Sequence, residues 1–570
     1  MKINKSFLLA ALSLLTVTSL VACFKGGTTM NDWDYDPEKE YEIGDTVKEW
    51  KSDKDWKTIP MDVPEGGTGT REIVKNMGNG DKQSLHYSVK SSQGYITSEL
   101  AQNKFFSDLD AKDGDIISLY VFIPSNSNLA SLKLEARSVE YSTGGWNGST
   151  SSYVAESDTL EVNADKENKW IRLVASYETQ YVLGSIRLNF VPLDNSQEVE
   201  FYVDDINITY GEETQNSAYE FKGESLYKTY KDYFIVGTEL SANMAKNSKF
   251  RQITIDNFKS VTAENEGKPD SVLDQAGCQE LAKTDPTGVA IKTSAFEGIY
   301  NWCEAAHIKV RHHTFVWHSQ TPGWFFKEEY NNNGANVSRE VMLGRLDNFF
   351  KVAIETFDER WPGLIYALDV VNEALPEMGQ IRTDSDWYRT VGEDYIYQAF
   401  VAASRHKKDY MDLYYNDYAF EQSQWGGSDR LQTAVDRNDL LKRGIDEGLV
   451  DGVGIQSHCS NYNNYSDVDA ILQCARIAHT AGIKCQITEL DINCNGSSEF
   501  DNKQKEAYGR LIKGLVKGMD EGTMDVNAVI LWGITDDLSW HNTNYPLLFN
   551  ADCSKKPAYY SFLEALNDVE

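Results

Sequence analysis

The chain has 570 residues, 41% of them hydrophobic, so it can bury more than one core. Its formal net charge of −32 argues against nucleic acid and anionic membrane surfaces as partners, because both demand basic patches. Aromatic residues make up 12% of the chain, a content that suits either sugar-stacking surfaces or a large core.

The first elements are processing signals. Lys2 and Lys5 precede the apolar run "SFLLAALSLLTVTSLVA", and "LVAC" at 20–23 resembles a bacterial lipobox. Residues 1–22 are therefore expected to be a lipoprotein signal peptide, with Cys23 as the lipidated residue. An exported lipoprotein of the outer membrane or cell surface follows from that reading. The polar, Gly/Pro-punctuated stretch 23–40 reads as a tether. Seven further cysteines lie between Cys278 and Cys553, in no metal-type CxxC pairs. Export permits disulfides, and the spacing assigns none.

From 41 to 210 the chain offers short alternating runs, among them "DIISLYVFIP", "KWIRLVASYE" and "VEFYVDDINITY", separated by turn clusters. This predicts an all-β sandwich. Its Gly/Ser-rich stretch 141–153 reads as an exposed loop carrying the ligand candidates Tyr141, Trp146 and Tyr153, whereas Trp170 is expected in the core. Residues 211–221 read as a linker.

From 222 to 570 apolar strand-like runs alternate with amphipathic helical ones, which predicts a parallel sheet. Eight strand candidates can be counted, and eight β/α repeats close into a (β/α)8 barrel. The predicted fold class is thus α/β, a TIM barrel preceded by an all-β sandwich. The eight runs end at or near Glu239, Asn265, His318, Glu373, Asn416, His458, Glu489 and Trp532. A barrel gathers its C-terminal strand ends at one face, where active sites sit. One polar strand end is ordinary turn chemistry, but a full ring of them points to a site.

The ring contains no HExxH, no GxSxG elbow and no GxxxxGK[ST], so neither a metal nor a cofactor is expected. Two glutamates remain, Glu373 after the fourth strand and Glu489 after the seventh. Glycoside hydrolysis needs such a pair, one carboxyl donating a proton to the leaving oxygen and the other ionised. Asn372 stands where it can hold a sugar hydroxyl, and His458 and Asp491 stand near Glu489 in the ring order. Asp369, inside the fourth strand, needs a partner if it faces inward, and His313 is the candidate.

At these residues a resemblance appears. "TAENEGKPD" (262–270), "HTFVWHSQTPGW" (313–324), "DVVNEA" (369–374), "LYYNDY" (413–418), "GVGIQSH" (452–458), "ITELDI" (487–492) and "LWGITDDLSW" (531–540) resemble glycoside hydrolase family 10 endo-β-1,4-xylanases over about 222–568. The resemblance implies Glu373 as acid/base and Glu489 as nucleophile of a retaining double displacement on xylan. It implies Asn372 on the sugar 2-hydroxyl, Gln456 and His458 near the nucleophile, and Asp491 orienting His458. Glu264, Asn265, Lys268, His313, Trp317 and Gln320 would line the non-reducing-end side of the cleft. Trp532 and Trp540 would wall it, and Asn416 and Tyr418 would sit towards the leaving group or support the ring. The chain departs from the family pattern at Gly267, where a Met is common, and in the long interval from Lys268 to His313. The sandwich resembles carbohydrate-binding modules of the family 4, 9 or 22 type. The expected partners are xylan or xylo-oligosaccharides and a bacterial membrane through Cys23, with no nucleic acid and a monomeric state. The rival readings are an endoglucanase of similar fold, a glycan-binding protein on a degenerate barrel, and a transglycosylase.

Overall fold

The computed structural model describes residues 46–50, 67–75, 77–79, 83–91, 94, 96–102, 111, 114–138, 154–179, 181, 183–211, 224–376, 380–422, 425–460, 465–494 and 498–568. Cys23, Tyr141, Trp146 and Tyr153 lie outside the described residues, as do the signal and tether segments.

The N-terminal part is built from two antiparallel sheets. One has the strand order Gly67–Lys75, Gln83–Ser91, Glu198–Thr209, Ile116–Phe122, Trp170–Ser176, with Thr46–Trp50 added to Glu198–Thr209. The other runs Ile96–Gln102, Leu183–Pro192, Leu129–Ser138, Val154–Glu156, with Leu160–Glu161 beside Leu129–Ser138. Alternation supplies the core. Leu85, Tyr87 and Val89 face inward from one strand and Val199, Phe201 and Val203 from its neighbour, against Leu134, Ile186 and Leu188 of the facing sheet. The expectation that Trp170 lies in this core is overturned. In Trp170–Ser176 the inward phase belongs to Leu173 and Ala175, so Trp170 stands half-buried on the outer face, its ring 5.6 Å from that of Phe122.

The C-terminal part is a closed barrel with its own hydrophobic core. Its eight strands are β1 (Ile235–Glu239), β2 (Ser260–Thr262), β3 (Lys309–His312 and Val316–Trp317), β4 (Ile365–Asn372), β5 (Asp412–Asp417), β6 (Gly452–Ile455 and His458–Cys459), β7 (Lys484–Ile492) and β8 (Val526–Leu531). All pairings are parallel. The sheet runs β3-β2-β1-β8-β7-β6-β5-β4 and closes where β3 pairs with β4, Val310 opposite Ile365. A strand in this setting is covered on both sides, by helices outside and by the barrel contents inside. The burial of β4 reflects this, since seven of its eight residues are buried and only Tyr366 is half-buried. The longest helices, Arg339–Arg360 and Ser498–Asp520, belong to the outer ring. The Ser338 hydroxyl accepts from the Val341 N–H and caps the first of them.

The barrel interior is polar in its middle layer. Arg311 and Asp369, both fully buried, form a two-pronged ion pair, and His313 Nδ1 stands 2.8 Å from Asp369 Oδ2. Arg311 Nε also donates to Gln486 Oε1 at 2.8 Å. His313 is thus a partner of Asp369, as the sequence predicts, and Arg311 is the larger partner that the sequence does not reveal.

Candidate active site

The polar strand ends meet at the C-terminal mouth of the barrel. β4 delivers Asn372 and then Glu373, whose φ of 54° lies in the left-handed region. That turn lets the strand leave the barrel while its last side chain points across the mouth. The Glu373 N–H donates to Asn416 O at 2.9 Å, and Arg382 Nε donates to the Glu373 carbonyl at 3.0 Å. Both oxygens of the Glu373 carboxyl accept hydrogen bonds, from Trp317 Nε1 at 2.9 Å and Gln456 Nε2 at 3.0 Å. His318 Nδ1 lies 4.0 Å away.

Glu489 is more enclosed, its side chain 6% exposed against 16% for that of Glu373. Its two oxygens face Asn416 Nδ2 at 2.9 Å and His458 Nε2 at 3.2 Å. The other ring nitrogen of His458 is 2.9 Å from Asp491 Oδ2, which also accepts from Trp540 Nε1 at 2.8 Å. The electrostatics follow from this relay. Burial alone would lower the pKa of His458, but the carboxylates of Asp491 and Glu489 raise it well above the ordinary imidazole value. Burial would likewise raise the pKa of Glu489. The hydrogen bond from His458, the charges of His313 and His458, and the Asn416 amide outweigh it and bring Glu489 down to about 2. Glu489 is therefore held as a carboxylate at neutral pH.

The two glutamates are joined by amides. Asn416 Nδ2 bridges Glu489 to Asn372 Oδ1 at 2.9 Å, and Gln456 Nε2 lies 3.4 Å from the same oxygen while donating to Glu373. Thr488 Oγ1 donates to Asn416 Oδ1 at 2.7 Å and fixes that amide's orientation. The Asn372 Nδ2 donor is buried and has no partner among the described residues, so it is available to a ligand hydroxyl. Gln456 touches both glutamates, its side-chain amide donating to Glu373 and its backbone carbonyl accepting from the Glu489 N–H at 3.0 Å, and Asn416 supports the ring by holding Glu489. The register explains both, because Asn416 sits opposite Asn372 on one side and Gly454 on the other, at the level of the carboxyls.

The remaining candidates form the walls. Lys268 Nζ donates to Asn265 Oδ1 at 2.9 Å and lies 5.1 Å from the centre of the Trp317 ring. Gln320 Nε2 reaches the same Asn265 oxygen at 3.3 Å, and Glu264 stands half-buried beside them. Trp317 is also a hydrogen-bond donor to Glu373, so it does more than line one end. The Trp532 ring, 8% exposed, lies 5.8 Å from His313, and Trp540, 56% exposed, packs 4.8 Å from His458. Tyr418 is half-buried, its hydroxyl 3.5 Å from Arg382 Nη2 and its ring centre 5.5 Å from the Arg430 guanidinium. Gly267 now has a reason. A Cβ there would come within 2.5 Å of the His313 carbonyl oxygen, so this turn admits only glycine at its present spacing.

Sequence reasoning assigns no role to three residues that the fold brings to the site. Arg382 and His318 flank Glu373; Arg382 belongs to no run that marks it, and His318 is marked only as the end of the third strand run. Glu239, at the end of β1, is 3% exposed and its Oε1 has no partner among the described residues. Burial, with Glu264 and Glu266 nearby, raises its pKa well above the ordinary carboxylate value. The only signal for it was its place in the ring of strand ends.

Comparison with known proteins gives a consistent picture. The glycosyl hydrolase family 10 pattern matches residues 225–565. Endo-1,4-beta-xylanase Y of Acetivibrio thermocellus is 32% identical over 426 residues, 71% of this chain and 38% of that protein. Endo-1,4-beta-xylanase A of Caldicellulosiruptor saccharolyticus is 31% identical over 361 residues, 60% of this chain and 95% of that protein. Among solved structures, the CBM22-1–GH10 modules of the Clostridium thermocellum xylanase 10B, complexed with xylohexaose, superpose with a TM-score of 0.58 at 27% identity, covering 87% of this chain and 93% of that one. The intracellular xylanase of Thermoanaerobacterium saccharolyticum gives 0.51 at 30% identity, covering 60% and 99%. The chain spans 38%, 33% and 53% of the length of the first three curated relatives. With a pattern match across more than half its length and a closed barrel bearing this paired-glutamate mouth, the chain belongs to glycosyl hydrolase family 10.

Proposed function

We propose that the protein is an endo-1,4-β-xylanase acting by a retaining double displacement. The observation that carries this reading is the unlike treatment of the two glutamates. Glu489 is buried, hydrogen-bonded by Asn416 and His458, and held as an anion with its pKa near 2. It is suited to attack the anomeric carbon. Glu373 is the more open of the two, clamped by Trp317 and Gln456 so that one oxygen can point at the glycosidic oxygen. It would protonate the leaving group in the first step and take the proton of the incoming water in the second. Asn372, with its unpartnered amide N–H, would bond the 2-hydroxyl of the sugar being cleaved. Glu264, Asn265, Lys268 and Gln320 would bind the sugars on the non-reducing side, and Trp532 and Trp540 would present ring faces to their C–H surfaces.

The relatives named as xylanases support xylan as substrate. A relative named as an exoglucanase, 28% identical, keeps β-glucan as the second reading. The experiment is a paired assay on xylan and carboxymethyl-cellulose, with the anomeric configuration of the first product followed by NMR. Xylan should be cut faster and the β-anomer should appear first. Glu489→Ala should abolish hydrolysis and leave oligosaccharide binding. Faster cleavage of the cellulose derivative, or first formation of the α-anomer, refutes the reading. We further propose that residues 41–210 form a carbohydrate-binding module with Tyr141, Trp146 and Tyr153 as ligand contacts. The likeness to a CBM22-1–GH10 pair supports it. The lipobox-like "LVAC" supports export and anchoring through Cys23. We also propose a monomer as the working unit, since one barrel mouth carries the whole paired-glutamate constellation.

A further inference from the structure

The turn that carries Glu373 is held from behind, by a buried layer that no sugar can reach. Glu373 has a φ of 54°, a conformation that residues other than glycine adopt at a cost, so the turn persists because its surroundings fix it. All six backbone groups of residues 373–375 have partners. The three N–H groups donate to three consecutive residues of β5. Glu373 donates to the Asn416 carbonyl at 2.9 Å, Ala374 to the Tyr415 hydroxyl at 3.1 Å and Leu375 to Asp417 Oδ2 at 3.3 Å. The three carbonyls accept from arginines. Arg382 gives its Nε to Glu373 O at 3.0 Å and its backbone N–H to Ala374 O at 2.8 Å, and Arg430 Nη2 donates to Leu375 O.

The strand period produces this layer. The Asn416 side chain points into the barrel, to Glu489, so Tyr415 and Asp417 on either side of it point outward, between strands and helices. Both are fully buried there. The Tyr415 hydroxyl donates to Asp417 Oδ2. Asp417 Oδ1 accepts from the Tyr418 N–H at 2.9 Å and lies 3.6 Å from Nη2 of Arg430, on the helix Ser428–Asp436. Burial pushes the Asp417 carboxyl up to about 7, against the pull of Arg430 and of the Tyr415 hydroxyl. A buried carboxyl is unfavourable unless its acceptor sites are used, and here they take two N–H groups and a hydroxyl.

The reaction depends on aim. In the first step Glu489 bonds to the anomeric carbon, the C–O bond to the leaving sugar breaks, and the Glu373 proton passes to that oxygen, so the sugar leaves as a neutral alcohol. In the second step water displaces Glu489 and gives a proton back to Glu373. Trp317 and Gln456 hold the Glu373 carboxyl, but neither fixes the backbone from which it hangs. We propose that Asp417, with Tyr415, is a positioning residue for these proton transfers, fixing the 373–375 turn and so keeping Glu373 aimed at the glycosidic oxygen. This inference rests on the xylanase reading above.

The test compares kcat/KM of the full chain on two substrates. Xylohexaose has a leaving sugar that needs the proton, and dinitrophenyl β-xylobioside has a leaving phenolate that does not. Asp417→Asn keeps the shape but must turn its amide N–H2 towards one of the two sets of donors. Tyr415→Phe removes a single hydroxyl. On xylohexaose, Asp417→Asn should lower kcat/KM about hundredfold and Tyr415→Phe about tenfold, while both stay within about threefold on the activated substrate. Azide attacks the glycosyl-enzyme without help from a base, so it should raise kcat of both variants on the activated substrate and leave the unaltered enzyme unchanged. Equal losses on the two substrates, or no loss on xylohexaose, would mean that this layer supports the fold and not the aim. The inference is then wrong while the xylanase reading stands. Tyr415→Phe decides the matter if Asp417→Asn does not fold. If Glu373→Ala loses both substrates alike, Glu373 is not the proton donor, and the mechanism proposed above falls together with the inference.

Discussion

His458 stands between two carboxylates, 3.2 Å from Glu489 and 2.9 Å from Asp491, and that position decides how the site responds to pH. Its raised pKa is due to Asp491 first and Glu489 second, against the opposing effect of burial. Its charge and hydrogen bond in turn help to depress Glu489. Removing the negative charge in Asp491→Asn should therefore act in sequence. His458 loses its proton at a lower pH than before. Glu489, no longer facing an imidazolium, regains a higher pKa. A nucleophile must be ionised, so the acid limb of kcat/KM should move to higher pH. Trp540, which donates to the same Asp491 oxygen, would keep its amide-compatible partner, so the wall should persist. The pH–rate profile of the variant on a soluble xylo-oligosaccharide checks this. An acid limb that stays where it is, with only a uniform loss of rate, would show that Asp491 orients His458 without setting its charge.

At the scale of elements, β4 shows what could be read in advance and what could not. Its apolar run and polar exit were legible, because a barrel strand must be hydrophobic where it is covered and chemical where it emerges. Asp369 was legible as an anomaly in that run. Its main partner was not, since Arg311 lies 58 residues earlier and only the β3–β4 closure brings the two together. The same limit explains Gln456 and Asn416. Linear order places them in the ring, and strand register decides which glutamate each side chain holds. Trp170 failed for a different reason, because a two-residue period leaves open which phase faces inward. The Arg311–Asp369 pair also makes a stability prediction. Both side chains are fully buried, so Asp369→Ala leaves an uncompensated guanidinium inside the barrel. The expected loss is about 3–5 kcal/mol. The double change Arg311→Met, Asp369→Leu should cost clearly less, because it removes both charges. Urea unfolding of the two variants measures the difference, and equal losses would mean that packing rather than charge sets the effect.

For the whole molecule, sandwich and barrel each have a separate hydrophobic cluster, and the barrel's is also where the thiols are kept. Cys278, Cys303, Cys459, Cys474 and Cys485 stand as thiols, all buried. Under the export proposed above this is an unusual choice, since an oxidising compartment favours disulfides. Burial is the protection. It raises the pKa of Cys278 to about 11 and of Cys485 to about 12, and that of Cys474 well above the ordinary thiol value. A thiol so placed is rarely a thiolate and has no path to a reagent, so it is chemically inert while the barrel is closed. Differential alkylation with peptide mapping should find these five unlabelled in the native protein at pH 8 and labelled after unfolding in denaturant. Reductant should leave the thermal midpoint unchanged, because no bond among them is there to break. Labelling of any of the five in the native state would show that the barrel opens locally at that strand or helix. The outcome bears on export as well. Under the export proposed above, a barrel that holds its thiols this way would have to finish folding before oxidation reached them.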